Sequence, residues 1–172
     1  MMLVLKRLAE SNLDHACDKA EKYRDLNQPD EAESICRDVL DVAPAHQAAL
    51  RTLGLALTDQ YAGGWRRVHK DALFTFSKLT SEYERAYYAG IAWERCAKAQ
   101  LEEGNGRAAH DAFHHALGLF ERAENLGTAG EPDPILRWNR CVRALTTHPL
   151  LLAAAEAPPP SHMDYGDDAP SR

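Results

Sequence analysis

Hydrophobic residues recur along most of this chain at the three- and four-residue spacing of amphipathic α-helices. The clearest early run is Leu13, Ala16, Ala20, Tyr23 and Leu26. No segment alternates strictly between apolar and polar residues, so the pattern gives no indication of β-strands. The sequence therefore predicts an all-α fold of about seven helices, preceded by a short helix over residues 2–10 with Leu5 and Leu8 facing inward.

Turn-forming residues divide this pattern into helices. Asn27-Gln28-Pro29-Asp30 and Gly104-Asn105-Gly106 are short breaks, Pro44 ends a helix, and residues 58–65 form a longer break with two glycines. Beyond it we predict helices over residues 66–80, 82–103, 107–126 and 134–147. The chain is thus divided into an N-terminal helix (1–12), a helical domain (13–147) and a disordered, proline-rich acidic tail (148–172).

A set of small, aromatic and apolar positions recurs at an interval of about 34 residues. In the first unit the set is Ala20, Tyr23, Ala32, Cys36 and Pro44. The second unit has Leu53, Gly54, Ala72 and Phe76, and the third has Trp93, Ala97, Gly104, Ala109 and Phe113. The last predicted helix repeats the opening positions with Trp138, Val142 and Leu145.

This recurring set resembles the tetratricopeptide repeat (TPR), in which each unit is a pair of helices. The resemblance covers roughly residues 13–147 and implies an α-α superhelix, a short TPR-like solenoid of about three degenerate repeats with a C-terminal capping helix. The second unit departs from the repeat by an insertion around Tyr61–Trp65, and the third lacks the closing proline. A helical bundle without repeats is the alternative fold.

The resemblance also implies a binding groove, because TPR proteins hold extended or helical peptides against the first helix of each repeat. Carried over position by position, the groove residues are Cys17, Glu21, Arg51, Leu55, Glu94, Lys98, Asn139 and Arg143. The set lacks the Lys/Asn clamp of chaperone-binding TPR domains. That departure argues against a carboxylate-clamp co-chaperone, and the resemblance implies a protein–protein interaction scaffold or adaptor. The alternatives are a chaperone-like holder of clients for secretion or complex assembly, and a self-associating structural module that forms a homodimer.

Charge and composition narrow the class of partner. The formal net charge of −6 makes nucleic acid a poor default partner, since a phosphate backbone is repelled on average. No apolar run approaches the roughly 20 residues of a membrane span, and the apolar start is too short for a signal peptide. The four cysteines are far apart, without a CxxC pair, and fall on apolar helical faces. We expect a cytoplasmic protein whose partner is another protein or a peptide.

No motif of a known catalytic or cofactor site appears, so we expect no enzyme activity and no cofactor. His110 and His114 share a helical face and have the spacing of a metal-chelating pair, but no third ligand completes a motif, which favours a solvated face. Tyr165-Gly166-Asp167-Asp168 matches a polymerase motif that requires a β-hairpin, and no strand is predicted near it. We regard that match as chance.

Two basic groupings remain, residues 65–70 and the stripe of Arg137, Arg140 and Arg143. The first interpretation is a solvated face with balanced charge. The second is a binding surface for an acidic segment, which includes this protein's own tail with Asp164, Asp167 and Asp168.

Overall fold

The computed structural model describes residues 3–128 and 130–157. The α-helices of these residues are α1 (Leu13–Asp25), α2 (Pro29–Val42), α3 (Gln47–Asp59), α4 (Trp65–Ser77), α5 (Glu82–Glu102), α6 (Gly106–Leu126), α7 (Asp133–Thr147) and α8 (Pro149–Glu156). Two short 3-10 helices cover Glu10–Asn12 and Tyr61–Gly63. The described ranges contain no β-strand, so the prediction of an all-α fold is confirmed.

The helices form consecutive pairs, α1 with α2, α3 with α4, and α5 with α6, and α7 then packs against α6 and is followed by the short α8. The second helix of each of the first two pairs also packs against the first helix of the next pair. The first helices α1, α3, α5 and α7 contact one another in that order. Each pair thus covers the apolar face of its neighbour, and the chain builds an all-α superhelix.

Two glycines allow the helices of a pair to approach closely. A Cβ atom added to Gly54 on α3 would lie 2.2 Å from Cε1 of Phe76 on α4, and one added to Gly90 on α5 would lie 2.6 Å from Cε1 of Phe120 on α6. Both phenyl rings are fully buried. The same contact between a small and an aromatic residue therefore recurs in successive pairs.

The turns within the pairs also recur. Asn27 and Gly104 both have positive φ, which ends a helix in the left-handed region. The next backbone amide then reaches back over the last turn, from Gln28 to the Tyr23 carbonyl and from Asn105 to the Gln100 carbonyl, each at 2.8 Å. The connection between α3 and α4 is longer, residues 60–64, as the predicted insertion requires.

The predicted N-terminal helix over residues 2–10 is wrong for the described residues 3–9, which form no helix. Leu5, expected to face inward, is 89% exposed, and only Leu8 packs against the helices, near Cys17 and Val39. A helix this short has few internal hydrogen bonds and needs tertiary packing to form. One packed leucine does not provide that packing.

The prediction that a disordered tail begins at residue 148 is also wrong for residues 149–156. They form α8, which buries Leu151 and Ala154 and packs against α6. Pro149 suggested that the preceding helix ends there, and it also begins the next one. It lies in the first turn of α8, where a backbone amide has no partner within the helix, so the missing amide hydrogen of proline costs nothing. The α8 helix therefore extends the helical part of the chain beyond α7, and the rest of the predicted tail, residues 158–172, lies outside the described residues.

Candidate functional site

The helices α1, α3, α5 and α7, which we call the first helices, contact one another in succession and share one face, which we call the inner surface. Ion pairs link its helices. The first such link joins α3 to α5, where the guanidinium Nη1 of Arg51 lies 2.6 Å from Glu84 Oε1. The Glu84 contact raises the pKa of Arg51.

Asp59, near the end of α3, joins three helices. Its Oδ2 accepts a hydrogen bond from Arg24 Nε on α1 at 2.8 Å, and its Oδ1 lies 2.5 Å from Arg95 Nη1 on α5. Arg95 also donates to the Thr58 hydroxyl and, at 3.3 Å, to the Leu55 carbonyl. Burial lowers the pKa of Arg95, and the neighbouring Asp59 opposes that shift. The two arginines share one carboxylate, so each retains N–H donors for other groups.

Glu94 joins α5 to α7. Its side chain is fully buried, yet three cations surround its carboxylate. Lys98 Nζ lies 2.5 Å from Oε1, Arg140 Nε lies 3.3 Å from Oε1, and Arg137 Nη1 lies 3.2 Å from Oε2. A buried carboxylate is stable only when paired in this way. Glu94 thus holds three partly exposed cations in fixed positions.

These linked residues carry an excess of positive charge. Six cations (Arg24, Arg51, Arg95, Lys98, Arg137 and Arg140) share three carboxylates (Asp59, Glu84 and Glu94). The neighbouring Glu21 and Glu102 reduce the excess, and Arg143 adds to it. A local positive surface within a chain of net charge −6 marks this face as different from the rest of the molecule.

A cavity of about 380 Å³ opens on the inner surface between the ends of α1, α3 and α5. Its wall includes the cations Arg24, Arg95 and Lys98, the carboxylates Asp59 and Glu102, and the polar Asn27. The wall therefore has one more cation than carboxylate. Such a wall suits a carboxylate or another anionic group of a ligand.

The structure brings together several of the predicted groove residues. Arg51 and Lys98 belong to the ion pairs described above, and the Leu55 carbonyl accepts from Arg95. Glu21 is exposed on α1, with its carboxylate 3.5 Å from the Thr52 hydroxyl.

On α7, Asn139 is partly buried and Arg143 is exposed. Arg143 lies three residues after Arg140, so the two are neighbours on the helix surface. These two positions extend the predicted groove onto α7.

Two of the predicted groove residues do not face a partner. Cys17 is buried, its sulfur lies 3.7 Å from His46 Nδ1, and burial raises the pKa of its thiol to about 11. Glu94 is buried as well, so its carboxylate acts on a ligand only through the cations that it holds. Position in the repeat placed both residues on the correct helices but did not reveal their burial.

Arg24, Asp59 and Arg95 belong to the inner surface but were not predicted from the sequence. A signal for them exists in the sequence: Asp59 follows Arg24 by 35 residues, and Arg95 follows Asp59 by 36. Charges of alternating sign therefore recur at nearly the repeat interval. In a stacked repeat such an interval places side chains side by side on neighbouring first helices.

The other candidate residues have local partners. Arg66, in the first basic grouping, forms an ion pair with Glu103 at 2.8 Å and lies over the Trp65 ring. The His110 and His114 rings lie 4.5 Å apart between centroids. Across residues 3–128 and 130–157, no cluster of three or more His, Cys, Asp or Glu residues with metal-binding geometry occurs.

A buried aromatic cluster was not anticipated from the sequence. His69 lies between Trp65 and Trp93, and its Nδ1 is 2.7 Å from the Tyr61 hydroxyl. Burial lowers the pKa of His69 to about 4. The ring is therefore neutral at pH 7 and belongs to the packing between α4 and α5.

Comparison with known protein families, curated proteins and solved structures finds no match. Among the described helices, none is both long enough and apolar enough to cross a bilayer.

Proposed function

We propose that this chain is a protein–protein interaction module that holds a partner peptide or protein on its inner surface, as a scaffold or adaptor does. The observation that carries the proposal is the set of six cations held by ion pairs, of which five join successive first helices and the sixth, that of Lys98, lies within α5. A client-holding chaperone would use the same surface and would differ only in its partner.

Preorganisation is the physical reason why this surface suits binding. Side chains that are already ordered lose little entropy when a ligand docks. The cations of the inner surface are held by carboxylates on other helices or on the same helix, while Arg140 keeps 61% of its side chain exposed. A partner with carboxylates would add hydrogen bonds to donors that already point in fixed directions.

We also propose that the repeat is of the TPR type. Two observations support this assignment: the close contacts of Gly54 with Phe76 and of Gly90 with Phe120, and the equivalent turns at Asn27 and Gly104. Ala20 lies 34 residues before Gly54 and is fully buried, so it occupies the same position in the first pair.

Binding without catalysis and without a cofactor is part of the proposal, since the charged groups of the inner surface pair with one another. A cytoplasmic location is part of it too. All four cysteines are buried as free thiols, which fits a reducing compartment.

The test of the proposal is a capture experiment with matched variants. The double variant Arg140→Glu/Arg143→Glu reverses two exposed charges on α7, and Lys70→Glu/Arg122→Glu makes the same change on the second helices α4 and α6. Proteins captured by the parent chain should be lost with the first variant and retained with the second. Equal capture by both variants would contradict an inner-surface site.

Self-association is a second candidate function, which we propose because Leu3 and Val4 are 86% and 76% exposed. Exposed apolar side chains in one segment are typical of contact surfaces. Light scattering should report a dimer that becomes a monomer in Leu3→Ser/Val4→Ser. A parent chain that is monomeric at all concentrations would exclude this function.

A further inference from the structure

We propose that, without a partner, the acidic C-terminal segment of the same chain, residues 158–172, occupies the inner surface. The inference depends on the proposed function and deepens it, because it names both an internal ligand and the chemistry that a partner needs. The anchoring groups would be the carboxylates of Asp164, Asp167 and Asp168.

Charge complementarity is the first argument. The segment has three aspartates within five residues and one arginine, at its end. The inner-surface cavity has three cations, Arg24, Arg95 and Lys98, within its wall. Asp59 and Glu102 are the carboxylates of the same wall, and Arg24 and Arg95 share that of Asp59, so the wall has one more cation than carboxylate. Asparagine and threonine side chains add neutral partners for an incoming peptide.

The position of Ala157 is the second argument. The Ala157 carbonyl accepts a hydrogen bond from Arg107 Nη2 at 2.8 Å, at the start of α6. Residues 103–105 connect α6 to the end of α5, where Glu102 lines the cavity and Lys98 lies about one helical turn before it. The path from Ala157 across this turn to Lys98 is on the order of 30 Å, taking 3.8 Å for each Cα step and 1.5 Å for each helical residue.

The length of the segment matches that path. Asp164 is the seventh residue after Ala157 and Asp168 is the eleventh. An extended chain spans roughly 3.3–3.6 Å per residue, so these carboxylates reach about 25 to 40 Å from Ala157. The segment is therefore long enough for its carboxylates to reach the cavity, and its prolines precede them in the sequence.

Tethering makes this contact effective even if each ion pair is weak. A short linker holds a bound group at an effective concentration on the order of millimolar. A partner that binds the same cations must displace the segment, so its apparent affinity is lower than its intrinsic affinity. The partners that succeed would carry acidic segments of their own.

The test uses the full chain and a labelled peptide with the sequence of residues 161–172. The triple variant Asp164→Asn/Asp167→Asn/Asp168→Asn removes the charges of the segment without changing its length. By fluorescence anisotropy, the peptide should bind this variant roughly tenfold or more tightly than it binds the parent chain, because the tethered competitor is lost. Adding Arg24→Gln/Lys98→Gln to the triple variant should abolish the gain, whereas adding Lys70→Glu/Arg122→Glu should preserve it.

Equal affinity for the parent chain and the triple variant would overturn the inference, and so would no measurable binding to either. In both cases the proposed function would still be judged separately, by whether captured partners depend on Arg140 and Arg143.

A second measurement identifies the occupant. In an equal mixture of ¹⁵N-labelled and unlabelled chains, carbodiimide coupling should join the segment to Lys98 within one chain. Coupling between labelled and unlabelled chains would assign the surface to the segment of a second copy and contradict the proposal.

Discussion

Gly54 and Gly90 set the distance between paired helices, because the aromatic rings of Phe76 and Phe120 occupy the space where a Cβ atom would lie. The requirement is steric, since both glycines lie within helices and need no unusual backbone conformation. A side chain at either position would push two helices apart or force a buried ring from its preferred rotamer.

We expect Gly54→Ala to destabilise the fold by about 1–3 kcal/mol, the usual cost of overpacking a core. Gly118→Ala is the matched control, since Gly118 lies on α6 with no atom near its added Cβ. That change should stabilise the helix by about 0.5–1 kcal/mol. Urea unfolding of the two variants measures both effects. A Gly54 variant as stable as the parent chain would contradict the packing described here.

The buried ring of His69 makes the free energy of unfolding depend on pH. Burial lowers its pKa from 6.5 to about 4, so the unfolded chain binds a proton in this interval that the folded chain does not. The contribution of His69 to stability is therefore fully present above pH 6.5 and decreases as the pH falls through 6.5 towards 4. The loss amounts to at most about 3 kcal/mol, at 1.36 kcal/mol for each pKa unit.

Unfolding free energies of the parent chain and of His69→Gln, measured between pH 5 and pH 7.5, test this expectation. The parent should lose stability on acidification more steeply than the variant. His15→Gln, on the exposed face of α1, is the control and should follow the parent. Identical slopes for the parent and His69→Gln would show that the buried ring is not responsible.

Among the elements, α7 is attached to α5 by ion pairs to the buried carboxylate of Glu94. Glu94 accepts a hydrogen bond from Arg137 and forms an ion pair with Arg140, and the apolar side of the helix buries Cys141. We expect Glu94→Gln to destabilise the fold by about 1–3 kcal/mol, because the buried acceptor loses its charge and the cations around it repel one another. Hydrogen exchange should accelerate in α7 before it does so in α3.

Glu121→Gln, an exposed change on α6, is the control for this prediction and should stay within about 0.5 kcal/mol of the parent. Unchanged exchange in α7 of the Glu94 variant would mean that apolar contacts alone hold this helix. The charge of Glu94 would then serve only to position Lys98, Arg137 and Arg140 for a ligand.

For the molecule as a whole, the helical pattern and the recurring small residues were sufficient to predict an all-α superhelix. Its two ends were mispredicted for opposite reasons. Residues 3–9 have the composition of a helix, but of their leucines only Leu8 packs against the helices. The α8 helix begins at a proline that resembled a stop, and it forms because Leu151 is buried against α6. Tertiary contacts decide both cases, and a local pattern does not contain them.

The candidate site was predicted less completely than the fold. The position of a residue in the repeat identified Arg51, Lys98 and Arg143, since helical spacing determines which residues share a face. It did not identify the pairs of Asp59 with Arg24 and Arg95, which depend on how three separate helices align. Nor did it show that Glu94 is buried, since burial depends on the cations that α7 brings over it.

The central claim is that a partner occupies the inner surface, and amide chemical-shift mapping of the complex with a captured partner tests it most directly. The account predicts that the largest shifts fall on α1, α3, α5 and α7, near the cavity that Arg24, Arg95 and Lys98 line. Shifts confined to the second helices α2, α4 and α6 would contradict it.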